Sequence, residues 1–190
     1  RDFIIGRVGG DGVQHWVSVS GDPVFDGAGT FVGYRGAGSD ITERRHAEAA
    51  LRESNSRLLA LIESIPDAIV FKDGGGRWRI ANEPALRLFE LDGVDWQGRT
   101  DGELAAVRPA LGPTLEHCHS TDEAAWSAGR LTLAEETVDG EGGGRRQFDV
   151  RKVPLFEADG SRRALVIAAT DATERRRAER QLKDSVALNT

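Results

Sequence analysis

The stretch SDITERRHAEAALRES occupies residues 39–54, and TDATERRRAERQLKDS occupies residues 170–185. Each reads as the end of a strand, an Asp-x-Thr step and a charged helix. Asp40 and Asp171 stand 131 positions apart, and the same ungapped offset places Gly12 on Gly143, Val19 on Val150, Pro23 on Pro154, Phe25 on Phe156, Thr42 on Thr173 and Leu51 on Leu182. Self-similarity at one fixed offset marks a duplicated structural unit. The first copy begins in mid-unit. Residues 1–42 therefore read as the C-terminal part of a truncated unit, 43–64 as a linker helix, 65–172 as a complete unit and 173–190 as the start of a second outgoing helix.

Punctuation inside the complete unit gives its element order. DAIVFKDGGGRWRIAN, residues 67–82, is two apolar runs around a glycine turn, a hairpin signal. In NEPALRLFEL, residues 82–91, Asn82 is placed to cap a short helix with Pro84 in its first turn. WQGRTDGELAAV and PTLEHCHSTDEAAWSAG predict one short and one longer helix, the latter closed by Gly129. Three strands in hairpin order follow, LTLAEETV, RQFDVRKVPLF and RALVIAAT, separated by the turns DGEGGG and EADGS. Period-2 alternation in the second of them turns Phe148 and Val150 inward and Gln147, Asp149 and Arg151 outward. The expected class is α+β, with antiparallel strands.

Asp40 and Asp171 each precede a glutamate by three residues, an aspartate form of the capping box. In that reading the carboxylate caps the helix, Glu43 or Glu174 reaches back to the cap amide, and the joint is stiff enough to pass movement from sheet to helix. Along the first outgoing helix Ala47, Leu51, Ser54, Leu58, Leu61 and Ile65 follow at alternating gaps of four and three, a short coiled-coil seam with one polar position. That stripe either pairs with a second chain or packs on its own domain. Ala178, Leu182 and Ser185 begin the same pattern in the second helix.

Composition narrows the function. The chain has 190 residues, a net charge of -6, one cysteine and no methionine. A lone thiol excludes an internal disulfide framework and fits a reducing compartment. The missing methionine predicts a segment of a longer protein. No apolar run approaches the length of a bilayer span and no signal-peptide layout opens the chain, so a cytoplasmic location without membrane contact is expected. Arginines sit mainly in the two TERR exits, interleaved with glutamates, which argues against nucleic acid as a partner.

GRTDGEL at 98–104, DEAAWSAGRLTLAEETV at 122–138, DVRKVPLFEADGS at 149–161 and ATDATERRRAERQL at 169–182, in this order and spacing, resemble the PAS family of sensory modules from bacterial signalling proteins. The resemblance implies a five-stranded antiparallel sheet with helices over one face and a cavity between them. It also implies an outgoing helix coupled to a histidine kinase, a cyclic-dinucleotide enzyme or another such unit in the same polypeptide, with Asp40, Thr42, Asp171 and Thr173 as the signalling junction. Phe71, Ile80, Leu104, Leu115, His119, Trp126, Phe148 and Val150 are the expected cavity lining, open to a small-molecule ligand; the same groups would equally make a filled core. Trp16 and Trp78 alternate with polar neighbours, which predicts exposure or an interface.

Several motifs carry competing chemistry. GGDG at 9–12 is similar to the diguanylate cyclase signature but lacks the following Glu-Phe and sits opposite EGGG at 141–144, where the repeat puts a turn. No Gly-Lys-Ser/Thr follows the glycine runs, so they are not phosphate loops. His46 lies beside an acid, as a phosphoacceptor would, yet matches Arg177 in the repeat. In HCHST, residues 117–121, two histidines and a thiol suggest zinc, but helical positions i and i+2 point about 200° apart. Haem-binding members of the family take a histidine from this long helix, which makes His119 the candidate ligand; a flavin adduct would need Cys118 in a different motif. No cofactor is the leading expectation, with haem or flavin as the alternative, and the linker helices predict a homodimer. Strands 1–42 alone expose an apolar face and an edge, and are expected to pair with the rest of the chain or another copy.

Overall fold

The computed structural model describes residues 2–10, 12–139 and 144–188, and divides into two compact units, Arg1–Ala60 and Leu61–Thr190. The Asp11 position of GGDG and residues 141–143 of EGGG lie outside the described residues, as does the Ser185 side chain. No described helix is long and apolar enough to cross a membrane.

The first unit is a three-stranded antiparallel sheet in the order β1 (Asp2–Val8), β2 (Gln14–Phe25), β3 (Phe31–Asp40), followed by helix α1 (Thr42–Ser64). Its apolar side chains find little cover: Phe3, Ile4, Val8, Val32 and Tyr34 are all exposed. Helix α1 buries no residue, and Leu51, Leu58 and Leu61 on its apolar stripe are each more than half exposed. The seam therefore does not pack on its own domain.

The second unit holds a five-stranded antiparallel sheet in the order β5-β4-β8-β7-β6. Its strands are β4 (Ala68–Asp73), β5 (Trp78–Ala81), β6 (Thr132–Asp139), β7 (Arg145–Phe156) and β8 (Arg162–Asp171). Helices α2 (Glu83–Leu88), α3 (Asp101–Val107) and α4 (Gly112–Ala128) fall between β5 and β6, with a 3-10 turn at Pro109–Leu111, and α5 (Thr173–Leu188) leaves β8. Moved by the 131-residue offset, β2 and β3 coincide end for end with β7 and β8, so the repeat read in the sequence is a repeat of structure.

Local chemistry explains the helix ends. Asn82, fully buried, accepts from the Ala85 amide at 3.1 Å to cap α2. The same side chain donates to the Asp67 carbonyl at 2.9 Å and accepts from the Ile69 amide at 2.9 Å, which pins the entrance of β4 to the start of α2. Thr100 and Glu103 form a reciprocal capping box on α3, and Gly129 ends α4 at φ 65°.

The core joins the inner face of the sheet to the three helices. Val70, Phe148, Val150, Val138 and Ile167 meet Ala85, Leu88, Leu104, Leu115 and Trp126. Hairpin β4–β5 breaks the simple alternation. Lys72 pairs with Trp78 but Phe71 pairs with Ile80, so Arg79 is an extra residue in a bulge. The bulge turns Trp78 inward, where it is 1% exposed and stacks edge-on against Phe89 at 5.2 Å. This corrects the expectation that Trp78 lies at the surface; Trp16 is half-buried.

Candidate functional site

Inward positions of β4 are Ala68, Val70 and Lys72; those of β7 include Phe148, Val150 and Lys152; β6 adds Glu136 and Val138. Period-2 geometry thus delivers two lysines and a glutamate to the face that carries the core. Charges in such a place persist only when paired. Lys72 Nζ donates to Asp101 Oδ2 at 2.6 Å and to Asp122 Oδ2 at 2.7 Å. Lys152 Nζ donates to Asp122 Oδ1 at 2.7 Å and to Thr121 Oγ1 at 2.5 Å, and lies 3.0 Å from Glu136 Oε1. Asp101 also accepts from Trp78 Nε1 at 2.7 Å, and Glu136 from Thr121 Oγ1 at 2.7 Å and the Cys118 thiol at 3.6 Å. The result is one chain, Asp101–Lys72–Asp122–Lys152–Glu136, in which every side chain is at most 7% exposed.

Proton affinities follow from the pairing. Burial alone would lower both ammonium groups, but Asp122 with Asp101 raises Lys72, and Asp122 with Glu136 raises Lys152. Burial would raise Glu136, yet the Lys152 charge and the hydrogen bonds from Thr121 and Lys152 hold it below its ordinary 4.5. Cys118 is driven strongly up by burial and by the Glu136 charge, so its thiol stays protonated for as long as it is buried.

A cavity of about 30 Å³ sits against this chain, lined by Lys72, Lys152, Glu136 and Cys118 at one end and by Val70, Val138, Phe148, Val150 and Ile167 elsewhere. That is space for one or two waters, whereas ligand pockets run to roughly 300–1,000 Å³. Outside it lies a solvent-open cleft of about 420 Å³ between the β4–β5 turn, the start of α3, α4 and β8, with Lys72, Asp101 and Asp122 in its floor.

Of the expected lining residues, Phe148 and Val150 border the cavity. Leu104 and Leu115 are fully buried in the core but do not line the cavity, while Trp126 and the exposed His119 border the outer cleft. Phe71 and Ile80 are corrected: they are cross-strand partners outside the cavity wall, because Phe71 alternates with Lys72 along β4 and the bulge at Arg79 turns Ile80 to the face opposite Trp78. A haem or flavin does not fit these residues. The cavity is an order of magnitude too small, His119 does not border it, and Cys118 points to Glu136. No group of three His, Cys, Asp or Glu side chains among the described residues is placed to hold a metal ion. Sequence reading missed Lys72, Asp101, Asp122, Glu136 and Lys152. The available signal was the alternation itself: carried two positions past Val70 and Val150, it lands on the two lysines.

The second feature is the strand-to-helix junction. Asp171 Oδ1 accepts from the Thr173 amide at 2.9 Å and from the Thr173 hydroxyl at 2.5 Å, and Oδ2 accepts from Arg146 Nη2 at 2.7 Å. The Thr173 hydroxyl in turn accepts from the Gln147 amide at 3.0 Å, and the Ala172 amide donates to the Gln147 carbonyl at 2.8 Å. Arg176 grips Asp149 and Glu135 on the neighbouring strands. In the first unit the Thr42 amide donates to Asp40 Oδ1 at 2.8 Å, the Trp16 amide to Thr42 Oγ1 at 2.8 Å, and the Ile41 amide to the Trp16 carbonyl at 2.8 Å. These are the same bonds at the same offset. The expected reach of the glutamate back to the cap is corrected: Glu174 pairs with Arg177 at 2.7 Å, and the threonine hydroxyl makes the second tie, to β7. The tie runs across strands because the start of the helix lies beside β7, out of reach of any pattern local to the exit.

A family model described as PAS fold matches residues 62–177, more than half of the chain, and the chain belongs to that family. Two-component sensor PprA from Pseudomonas aeruginosa is 27% identical over 193 aligned positions, covering 97% of this chain and 20% of that protein. Sensor protein FixL from Bradyrhizobium diazoefficiens is 33% identical over 82 positions, covering 42% and 16%. The chain therefore spans a fifth or less of the length of these relatives. The PAS domain of Bordetella pertussis BvgS aligns with a TM-score of 0.51 at 22% identity, over 71% of this chain and 98% of that one, a likeness of fold.

Proposed function

We propose that residues 61–190 form a non-catalytic sensory module that relays the state of its cavity through the Asp171–Thr173 junction and α5 to an output domain elsewhere in the same polypeptide, a histidine kinase or a cyclic-dinucleotide enzyme. One observation carries this reading. The junction bonds recur in both units, whereas the cavity charges do not: Lys152 and Glu136 fall on Gly21 and Ile5 at the 131-residue offset. A joint kept while charged positions of the adjoining strands change is a coupling element that does not depend on one particular input. The sensor proteins among the relatives support the same direction.

The exposed stripe of α1 supports a second part, pairing of two copies through the linker helices into a dimer. Cytoplasmic location fits a single buried thiol, and the reading needs neither nucleic acid nor membrane contact. Output activity of the full-length protein tests the relay: Thr173→Val should change it, with Thr173→Ser near wild type, and unchanged output in both overturns it. Sedimentation of the chain tests the pairing. A dimer that becomes monomeric on Leu51→Asp with Leu58→Asp is expected; a monomer from the outset refutes the dimer.

A further inference from the structure

The interior cavity and the outer cleft lie on the same side of the sheet, and among the described residues Lys72 alone lines both. Every residue around the cavity is buried and its space is about 30 Å³, so a molecule larger than one or two waters is accommodated only if a wall group moves. Thirteen of those fourteen residues face the cavity without reaching the cleft, and displacing them means breaking close-packed contacts. Lys72 is different. Its flexible four-carbon arm ends in an ammonium held by Asp101 and Asp122, which border the open cleft. A rotation of that arm outward moves the ammonium toward water and joins the two spaces.

We propose that the outer cleft is the mouth of the ligand site, that Lys72 is the plug between mouth and cavity, and that the molecule admitted is small, with an apolar body and a cationic head. This rests on the reading of the cavity as the sensing site. The apolar body follows from Val70, Val138, Phe148, Val150 and Ile167, which form most of the wall. The cationic head follows from what Lys72 leaves behind. Without its ammonium, Asp101 keeps only the Trp78 N–H, and Asp122 and Glu136 share Lys152. Buried carboxylates stripped of their counter-charge are strongly unfavourable, so a neutral or anionic head opens the plug at a penalty that a cation removes.

Cys118, the sole cysteine of the chain, lines the cavity and reports on access. The rate of its modification by methyl methanethiosulfonate is measured in the wild-type chain, in Lys72→Ala and in Phe71→Ala, whose side chain lies outside the cavity wall. Lys72→Ala should react about tenfold or more faster than wild type by local opening, after correction for the globally unfolded fraction, and Phe71→Ala at the wild-type rate. Millimolar n-butylamine should slow the reaction of Lys72→Ala, and sodium butyrate should not. A Lys72→Ala rate equal to wild type overturns the plug, and equal protection by amine and carboxylate overturns the cationic head. Should Lys72→Ala fail to fold, the same comparison of amine and butyrate on the wild-type chain decides: protection by the amine alone upholds the proposal, and equal effects sink it. Neither outcome touches the junction, which the Thr173 variants test separately.

Discussion

Replacing Lys152 by methionine keeps an apolar arm of similar length in the cavity wall and deletes one charge, so the loss it causes reports the ion chain and not a void. Asp122 retains Lys72 at 2.7 Å. Glu136 is the group left stranded, with only the Thr121 hydroxyl at 2.7 Å and the Cys118 thiol at 3.6 Å. Removing one partner of a buried pair costs about 3–5 kcal/mol, since the remaining charge stays desolvated. Protonation of Glu136 is its escape, which places the lower end of that range in mild acid. Adding Glu136→Leu to Lys152→Met should restore about 2 kcal/mol, because the stranded charge is gone and Thr121 falls back on the Cys118 carbonyl at 3.0 Å. Urea unfolding followed by tryptophan fluorescence is the assay, with Trp78 and Trp126 buried in this unit, and equal slopes confirm that the comparison is of stability. A loss below about 1 kcal/mol for Lys152→Met, or a double variant in which the two losses simply add, would refute the reasoning.

Acid should weaken the fold by a predictable route. Glu136 is held below its ordinary 4.5, so its contribution is complete above pH 4.5 and disappears as pH falls through the lower folded value; Glu136→Gln should flatten that limb of a stability-against-pH curve. At the other end Lys72 and Lys152 are raised above 10.5, so their contribution is complete below pH 10.5 and fades only as pH climbs through the folded values. Thr173→Val leaves the Gln147 amide without its acceptor and should cost about 2 kcal/mol, with faster amide exchange at Gln147 and in the first turn of α5; Thr173→Ser should be near neutral. Gly74→Ala would put a methyl carbon 2.0 Å from the Arg162 carbonyl oxygen, forcing the β4–β5 turn away from β8, and a loss of about 1–3 kcal/mol should appear in thermal melts.

What could be read directly from the amino-acid order was whatever is encoded locally or by repetition. The offset between Asp40 and Asp171 located both units, alternation at Phe148 and Val150 assigned the buried face of β7, and Asn82, Pro84 and Gly129 marked helix ends, because capping and strand periodicity depend on residues a few positions apart. The folded chain alone decided the rest. One extra residue at Arg79 reversed the facing of β5, which no reading of WRIA on its own could reveal, since a bulge exists only relative to a partner strand. Lys72 and Asp122 are 50 positions apart, and Lys152 and Asp122 are 30; both lysines look like ordinary surface charges until three elements close over them. Likewise the Asp-x-Thr spacing announced a joint, but only the approach of β7 showed that the threonine hydroxyl, and not the glutamate, completes it. Contacts formed across the sheet are set by the packing of distant segments, and that packing is a property of the whole unit.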